Sequence, residues 1–108
     1  MKTLLHISTV LLGLLIFIDG CKKDVPDPGQ VWIQNMAFSP SSVTIKANTT
    51  ITWTNRDAVI HNVTSDSGWF SSGDIAAGAS FSQQCNTPGT FTYRCSVHPT
   101  ERGRVTVQ

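Results

Sequence analysis

A cysteine, two histidines and a glutamate are the residues of this sequence whose types and spacing most clearly point to chemistry. Cys95, His98 and Glu101 follow one another at intervals of three residues, and His61 lies well upstream. A thiolate and two imidazoles that converge on one point are the ligands of copper sites that transfer electrons. The cysteine must lose its proton to bind, and a metal ion supplies the charge that favours this loss. The fourth position of such a site is usually a weak thioether, whereas this chain offers the carboxylate of Glu101.

Two other kinds of site fit these residues less well. A structural zinc site needs four strong tetrahedral ligands, usually in closely spaced pairs, and Cys95 with His98 is the only such pair in the sequence. A cysteine–histidine hydrolase would also need an oriented base and an oxyanion site, for which the sequence indicates no cleft. His6 belongs to the N-terminal segment and is not a candidate ligand.

The elements that must position these ligands are predicted to be strands. Helical periodicity is absent after residue 20, and short β-branched and aromatic runs alternate with Gly, Pro, Asn and Ser. An all-β fold follows, a Greek-key β-sandwich of about seven to eight strands over residues 30–108. Residues 65–78 are predicted to form a long loop, with Trp69 and Phe70 packed beneath it. The predicted strands are 31–33, 43–45, 51–54, 61–64, 79–85, 90–95 and 102–107.

The N-terminal segment is typical of an export signal. Residues 1–20 contain an early lysine, a short apolar run and a small residue before Cys21. The run is shorter than the roughly 20 apolar residues that span a bilayer, although a retained membrane anchor is an alternative. The segment resembles a bacterial lipoprotein signal, which implies cleavage before Cys21 and a lipid on that cysteine; an ordinary secretory signal is the rival interpretation. Residues 21–29 are predicted to form a polar tether.

The charge of the remaining domain argues against nucleic acid as a partner. Residues 30–108 contain five basic side chains and four acidic ones, and the whole chain has a formal net charge of +1. A nearly balanced charge provides no electrostatic attraction to phosphate backbones. We therefore expect no nucleic-acid partner and no strongly charged partner.

A third cysteine, Cys85, raises the question of a disulfide, because exported proteins meet oxidising conditions. A hairpin centred on Pro88 and Gly89 would pair Cys85 near Phe91 and leave Cys95 about four residues further along. At about 3.3 Å per residue this offset exceeds the reach of a disulfide. We therefore predict that Cys85 is a small buried thiol.

Three segments of the domain resemble the cupredoxins, especially the plastocyanin and amicyanin group. Residues 93–99, with the sequence YRCSVHP, resemble the copper-ligand loop of that family. Residues 52–63 resemble its upstream ligand segment, and residues 87–93 resemble the strand that leads into the cysteine. The resemblance implies one copper ion held by His61, Cys95 and His98.

The resemblance also implies roles for two neighbouring polar residues. Asn62 matches an asparagine that braces the ligand loop, with its amide directed toward the sulfur of Cys95. Ser96 matches a position where a hydroxyl hydrogen-bonds that asparagine. Such partners fix ligand geometry and tune the potential of the metal. Ordinary turn polarity is the alternative explanation for both residues.

Glu101 departs from the family pattern, in which an axial methionine lies three residues after the second histidine. Three interpretations are open. Glu101 ligates copper through an oxygen, or it turns outward and pairs with Arg102 or Arg104, or the site prefers a harder ion such as zinc. We favour ligation, and an anionic oxygen donor should stabilise Cu(II) and lower the reduction potential.

These inferences combine into one predicted function. The chain is expected to be a monomeric electron-transfer protein rather than an enzyme, exported and lipid-anchored to a bacterial membrane, facing the periplasm or the cell exterior. His98 is expected to be the electron port, in an apolar patch with Val97 and Pro99 where redox proteins dock. A copper-binding or copper-delivery lipoprotein is the alternative, and a metal-free adhesion domain is a third possibility.

Overall fold

The structure, a computed structural model, describes residues 25–108. Eight strands form two four-stranded sheets, and the described residues contain no helix. Within this part of the chain, accordingly, no helical segment has the length and hydropathy to cross a membrane. The export signal, Cys21 and the start of the tether lie outside the described residues. The strands are β1 (Gln30–Gln34), β2 (Ala37–Ser39), β3 (Ser42–Ile45), β4 (Thr49–Asn55), β5 (Thr64–Ser65), β6 (Ser80–Cys85), β7 (Gly89–Cys95) and β8 (His98–Val107).

The two sheets have the strand orders β2-β1-β4-β6 and β3-β8-β7-β5. The pairs β1–β4 and β3–β8 are parallel, and the other paired strands are antiparallel. Buried and more exposed residues alternate along β1 and along most of β8, as expected for strands with one face against a core. The predicted all-β sandwich is therefore confirmed.

Side chains from both sheets form one core between them. Trp53 on β4 and Tyr93 on β7 are fully buried, and their rings meet edge to face with centroids 5.3 Å apart. Phe70 packs against Trp53, and Trp69 packs against the core, as predicted for the long loop. Tyr93 lies two residues before Cys95 on β7, so the close-packed core adjoins the strand end that carries this candidate ligand.

Apart from shifts of one or two residues at strand ends, the strands differ from the predicted ones in three ways. The strand expected at 61–64 is reduced to Thr64–Ser65, and His61 forms an isolated bridge with Ile75 instead. The last strand begins at His98 rather than at residue 102, so only Ser96 and Val97 form the turn after β7. The short strand β2 was not predicted separately, because its three residues are too few to show alternation.

The predicted hairpin after Cys85 is wrong, although the prediction of a free thiol is confirmed. Cys85 pairs with Thr49 on β4, in the sheet opposite the one that contains Cys95. The turn at Pro88 and Gly89 therefore carries the chain from one sheet to the other. Both cysteines of the described part of the chain are buried and free, and burial raises the pKa of the Cys85 thiol.

Candidate metal centre

The turn between β7 and β8 brings a sulfur and an imidazole together. Cys95 ends β7 and pairs with His98, the first residue of β8, after a shift in register at Arg94 and Cys95. The Sγ atom of Cys95 lies 3.5 Å from Nδ1 of His98. Cys95 is fully buried, whereas the His98 side chain is 28% exposed. The pair thus has one ligand inside the core and one at the surface.

His61 approaches the Cys95–His98 pair from a different segment of the chain, the connection between β4 and β5. Its backbone is fixed by an isolated bridge, in which the Ile75 N–H donates to the His61 carbonyl over 2.8 Å. The imidazole is fully buried, and its centroid is 4.8 Å from that of His98. Nδ1 of His61 faces Glu101, and Nε2 faces Asp57. The ring therefore has a carboxylate at each nitrogen.

Glu101 points into the protein. Its side chain is 1% exposed, with Oε1 2.9 Å from His61 Nδ1 and Oε2 3.5 Å from His98 Nδ1. The outward interpretation of Glu101 is therefore wrong, because its side chain is buried. Arg102 lies on the opposite face of the strand and pairs with Asp66 instead. Among the described residues Oε2 has no hydrogen-bond partner, which is costly for a buried oxygen. A cation beside this oxygen would remove that cost.

The four candidate ligands converge. One donor atom each from His61, Cys95, His98 and Glu101 lies within 4.8 Å of the other three. The set provides two nitrogens, one sulfur and one oxygen, and three of the four residues are buried. Imidazole and thiolate suit copper and zinc, whereas a carboxylate also accepts harder ions. Together with the unpaired oxygen of Glu101, this donor set fits a single metal ion.

Asn62 and Ser96 connect the two ligand segments. The Asn62 side-chain amide donates to the Ser96 hydroxyl over 2.8 Å, and the Ser96 N–H donates back to Oδ1 of Asn62 over 2.9 Å. The backbone N–H of Asn62, rather than its side-chain amide, donates to the Cys95 sulfur at 3.3 Å. The expected contact between Asn62 and Ser96 is therefore present, and the direct contact with the sulfur comes from the main chain.

Asp57 is a site residue that sequence reasoning missed. Its Oδ2 lies 2.8 Å from Nε2 of His61, in an i, i+4 relationship. Burial raises the pKa of Asp57, but the backbone N–H groups of Met36 and Asn35 and the His61 ring together hold that pKa below its usual value. The only signal in the sequence was the spacing of an acidic residue four positions before a candidate ligand.

Comparison with known proteins identifies the family. The family model of the cupredoxin-like domain matches residues 8–107. The chain belongs to the cupredoxin-like family. Amicyanin-alpha of Methylorubrum extorquens is 37% identical over 84 residues, which cover 73% of this chain and 71% of that protein. Plastocyanin of Scenedesmus fuscus is 37% identical over 86 residues, covering 68% of this chain and 88% of that protein. The predicted resemblance to the plastocyanin and amicyanin group is thereby confirmed.

Solved structures of cupredoxins have the same architecture. A Cu(I) form of an amicyanin mutant superposes with a TM-score of 0.70 at 26% identity, covering 81% of this chain and 95% of amicyanin. A purple cupredoxin from Nitrosopumilus maritimus superposes with a TM-score of 0.69 at 33% identity, covering 76% of this cupredoxin and 100% of its relative. The sandwich fold and the family assignment therefore agree.

Proposed function

We propose that this cupredoxin is a one-electron carrier that holds one copper ion through His61, Cys95, His98 and Glu101. The observation that carries the proposal is the convergence of these four donor atoms within 4.8 Å. Copper supplies a reversible couple between Cu(II) and Cu(I) when it is bound there. Family membership supports copper as the cofactor, since several of the matched amicyanin structures are Cu(I) forms.

The protein's own contribution is to hold the ligands still and exclude water. His61 and Cys95 are fully buried, and each is fixed by neighbours that do not depend on a metal. The Asn62 backbone N–H donates to the Cys95 sulfur, and the Asn62–Ser96 pair connects the two ligand segments. Ligands that keep one geometry in both oxidation states reduce the rearrangement that accompanies each electron transfer.

Glu101 is proposed as the oxygen donor in the position where relatives have a thioether. Burial of its side chain, at 1% exposed, and the unpaired Oε2 both support a role inside the site. A full negative charge beside the metal favours Cu(II) over Cu(I), so the reduction potential should lie below that of a thioether site.

His98 is the proposed port for electrons. It is the one imidazole of the site that is partly exposed, and exposed apolar side chains adjoin the ligands in sequence: Val97 beside His98, and Val59 and Ile60 before His61. An uncharged rim of this kind fits a redox protein with an apolar surface, consistent with the near-neutral charge of the chain. We further propose export and a lipid on Cys21, which rest on the sequence alone, and no enzymatic activity.

A titration with Cu(II) tests the proposal. The soluble domain should develop an intense thiolate-to-copper band in the visible at one equivalent, and cycle reversibly between oxidised and reduced forms. Cys95→Ser should abolish the band, whereas Cys85→Ser should retain it, because Cys85 lies in the opposite sheet. Absence of the band in the wild-type protein would contradict the proposal. Tight Cu(II) binding without reversible reduction would favour a copper-holding or delivery role instead.

A further inference from the structure

Asp57 uses both carboxylate oxygens to connect a turn of the fold to a candidate metal ligand. Oδ1 accepts the backbone N–H of Asn35 over 2.7 Å, and Oδ2 accepts that of Met36 over 3.0 Å. Oδ2 also lies 2.8 Å from Nε2 of His61. With a side chain only 14% exposed, Asp57 sits between the protein surface and the buried ring.

The two N–H groups that donate to this carboxylate belong to the turn between β1 and β2. Asn35 and Met36 form the two-residue connection between β1 and β2, closed by the pair Gln34 and Ala37. Both turn residues have positive φ, 56° and 62°, which is typical of a type I′ turn. Neither residue is glycine, so the conformation is unfavourable in isolation. The two hydrogen bonds that these N–H groups donate to one carboxylate offset this cost.

Asp57 is held from its other side as well. Its own N–H donates to Oδ1 of Asn55 over 2.9 Å, and the Asn55 amide donates to the carbonyls of Val59 and Ile75. Asn55 is fully buried, and Ile75 is the bridge partner of His61. The carboxylate therefore has little freedom to turn away from the imidazole.

We propose that Asp57 is the positioning residue of His61, and that the β1–β2 turn is thereby part of the metal centre. An ionised carboxylate only accepts hydrogen bonds, so the ring proton belongs on Nε2. Nδ1, which faces Glu101, then keeps the lone pair that a metal requires. This inference rests on the proposed function, because it assumes that His61 is a ligand.

Metal affinity and the state of the His61 ring test this role together. Asp57→Ala and Asp57→Asn should weaken the binding of Zn(II) and Cu(II), measured by competition with a chelator, by about 10- to 100-fold. Nitrogen-15 NMR of the zinc-loaded protein should show a slowly exchanging Nε2–H on His61 in the wild type, and its loss or rapid exchange in the variants. Asp74→Asn, at an exposed carboxylate in the loop between β5 and β6, is the matched control and should change neither quantity.

A second variant separates positioning from stability of the turn. Met36→Gly relieves the positive φ of the turn, so the double variant Asp57→Ala/Met36→Gly should recover much of any lost stability. We expect its metal affinity to remain low. Wild-type affinity and a retained Nε2–H in the double variant would show that Asp57 only anchors the turn, which overturns the proposal. If His61 resonances of the wild-type protein do not respond to either metal, the proposed function itself fails, independently of Asp57.

Discussion

Both faces of the β7–β8 pair carry charged side chains, but those on one face are buried and those on the other are exposed to solvent. On the inner face, Cys95 and Glu101 are buried beside His61. On the outer face, the adjacent residues Arg94 and Arg102 pair with Asp66 at 2.6 and 2.7 Å. Successive residues of a strand point to opposite sides, so a shift of one residue separates the candidate metal centre from a surface ion cluster.

The difference between these faces is mainly one of solvation. Arg102 is 54% exposed, and water and salt weaken its attraction to Asp66. Glu101 is almost fully removed from water, and only its Oε1 has a hydrogen-bond partner, the ring of His61. A buried carboxylate that retains an unpaired oxygen is destabilising on its own account, whereas the outer cluster is close to neutral for stability. The inner face thus carries a cost in stability that the outer face does not, in accord with the metal-binding role proposed for Glu101.

Replacement of Glu101 should produce the largest effect. Glu101→Gln removes the charge but keeps the shape of the side chain. The free energy of reduction should therefore shift on the order of a few kcal/mol in favour of Cu(I), which raises the reduction potential. Glu101→Met should raise the potential further, because a thioether binds Cu(I) better than an oxygen does. Protein-film voltammetry measures the potentials, and visible and EPR spectra report the copper–thiolate bond.

The two readouts distinguish charge from ligation. A ligating oxygen predicts that both the potential and the spectra change in Glu101→Gln. Arg102→Gln, on the outer face of the same strand, is the control and should leave the spectra unchanged. Unchanged potential and spectra in Glu101→Gln would contradict any role for this carboxylate at the metal and would remove the contrast between the two faces.

Packing makes the inner face intolerant of change even where no charge is involved. Gly103 lies on β8 two residues beyond Glu101, and a Cβ atom there would lie 2.3 Å from the ring of Tyr93. Gly103→Ala should therefore destabilise the domain by about 1–3 kcal/mol or more, measured by denaturant unfolding. The ring cannot withdraw easily, since Tyr93 is fully buried against Trp53 and Phe38.

The single tyrosine of the chain offers a direct optical check of this packing. Burial raises the pKa of Tyr93 to about 12, so the wild-type protein should not form tyrosinate until about that pH. The buried, protonated hydroxyl of Tyr93 makes its full contribution to the free energy of unfolding below about pH 10. This contribution is lost as the pH rises from about 10 to about 12. In Gly103→Ala the displaced ring should titrate at a lower pH. An unchanged titration with unchanged stability would show that the inner face tolerates a methyl group.

The contrast also explains what the sequence could predict. The pairing of Cys95 with His98 follows from their short spacing, and strand alternation is visible in the residues themselves. The Asn62–Ser96 contact was implied only by the resemblance to the cupredoxins. The contact from Asp57 to His61 depends on a turn between β1 and β2, which nothing near residue 57 specifies. Likewise, the turn at Pro88 and Gly89 has hairpin chemistry, but only the packing of two sheets decides that it crosses between them.

The smallest effect is expected on the outer face. The hydrogen bond from Thr92 and the two arginines hold the pKa of Asp66 below its usual value. Asp66→Asn should lower the free energy of unfolding by about 0.2–1 kcal/mol for each ion pair lost, and the difference should shrink in about 1 M salt. Urea unfolding of both proteins at low and high salt provides the measurement.

The pH dependence has a definite sign. Because the folded pKa of Asp66 is lowered, its contribution is present above the unfolded value of about 3.9 and is lost as the pH falls through the lower folded value. Asp66→Asn should therefore differ from the wild type at neutral pH and converge with it in acid. Copper spectra should be the same in both proteins, since Asp66 lies on the face opposite Cys95. An altered spectrum would mean that the two faces are coupled through Arg94 and the register shift beside it.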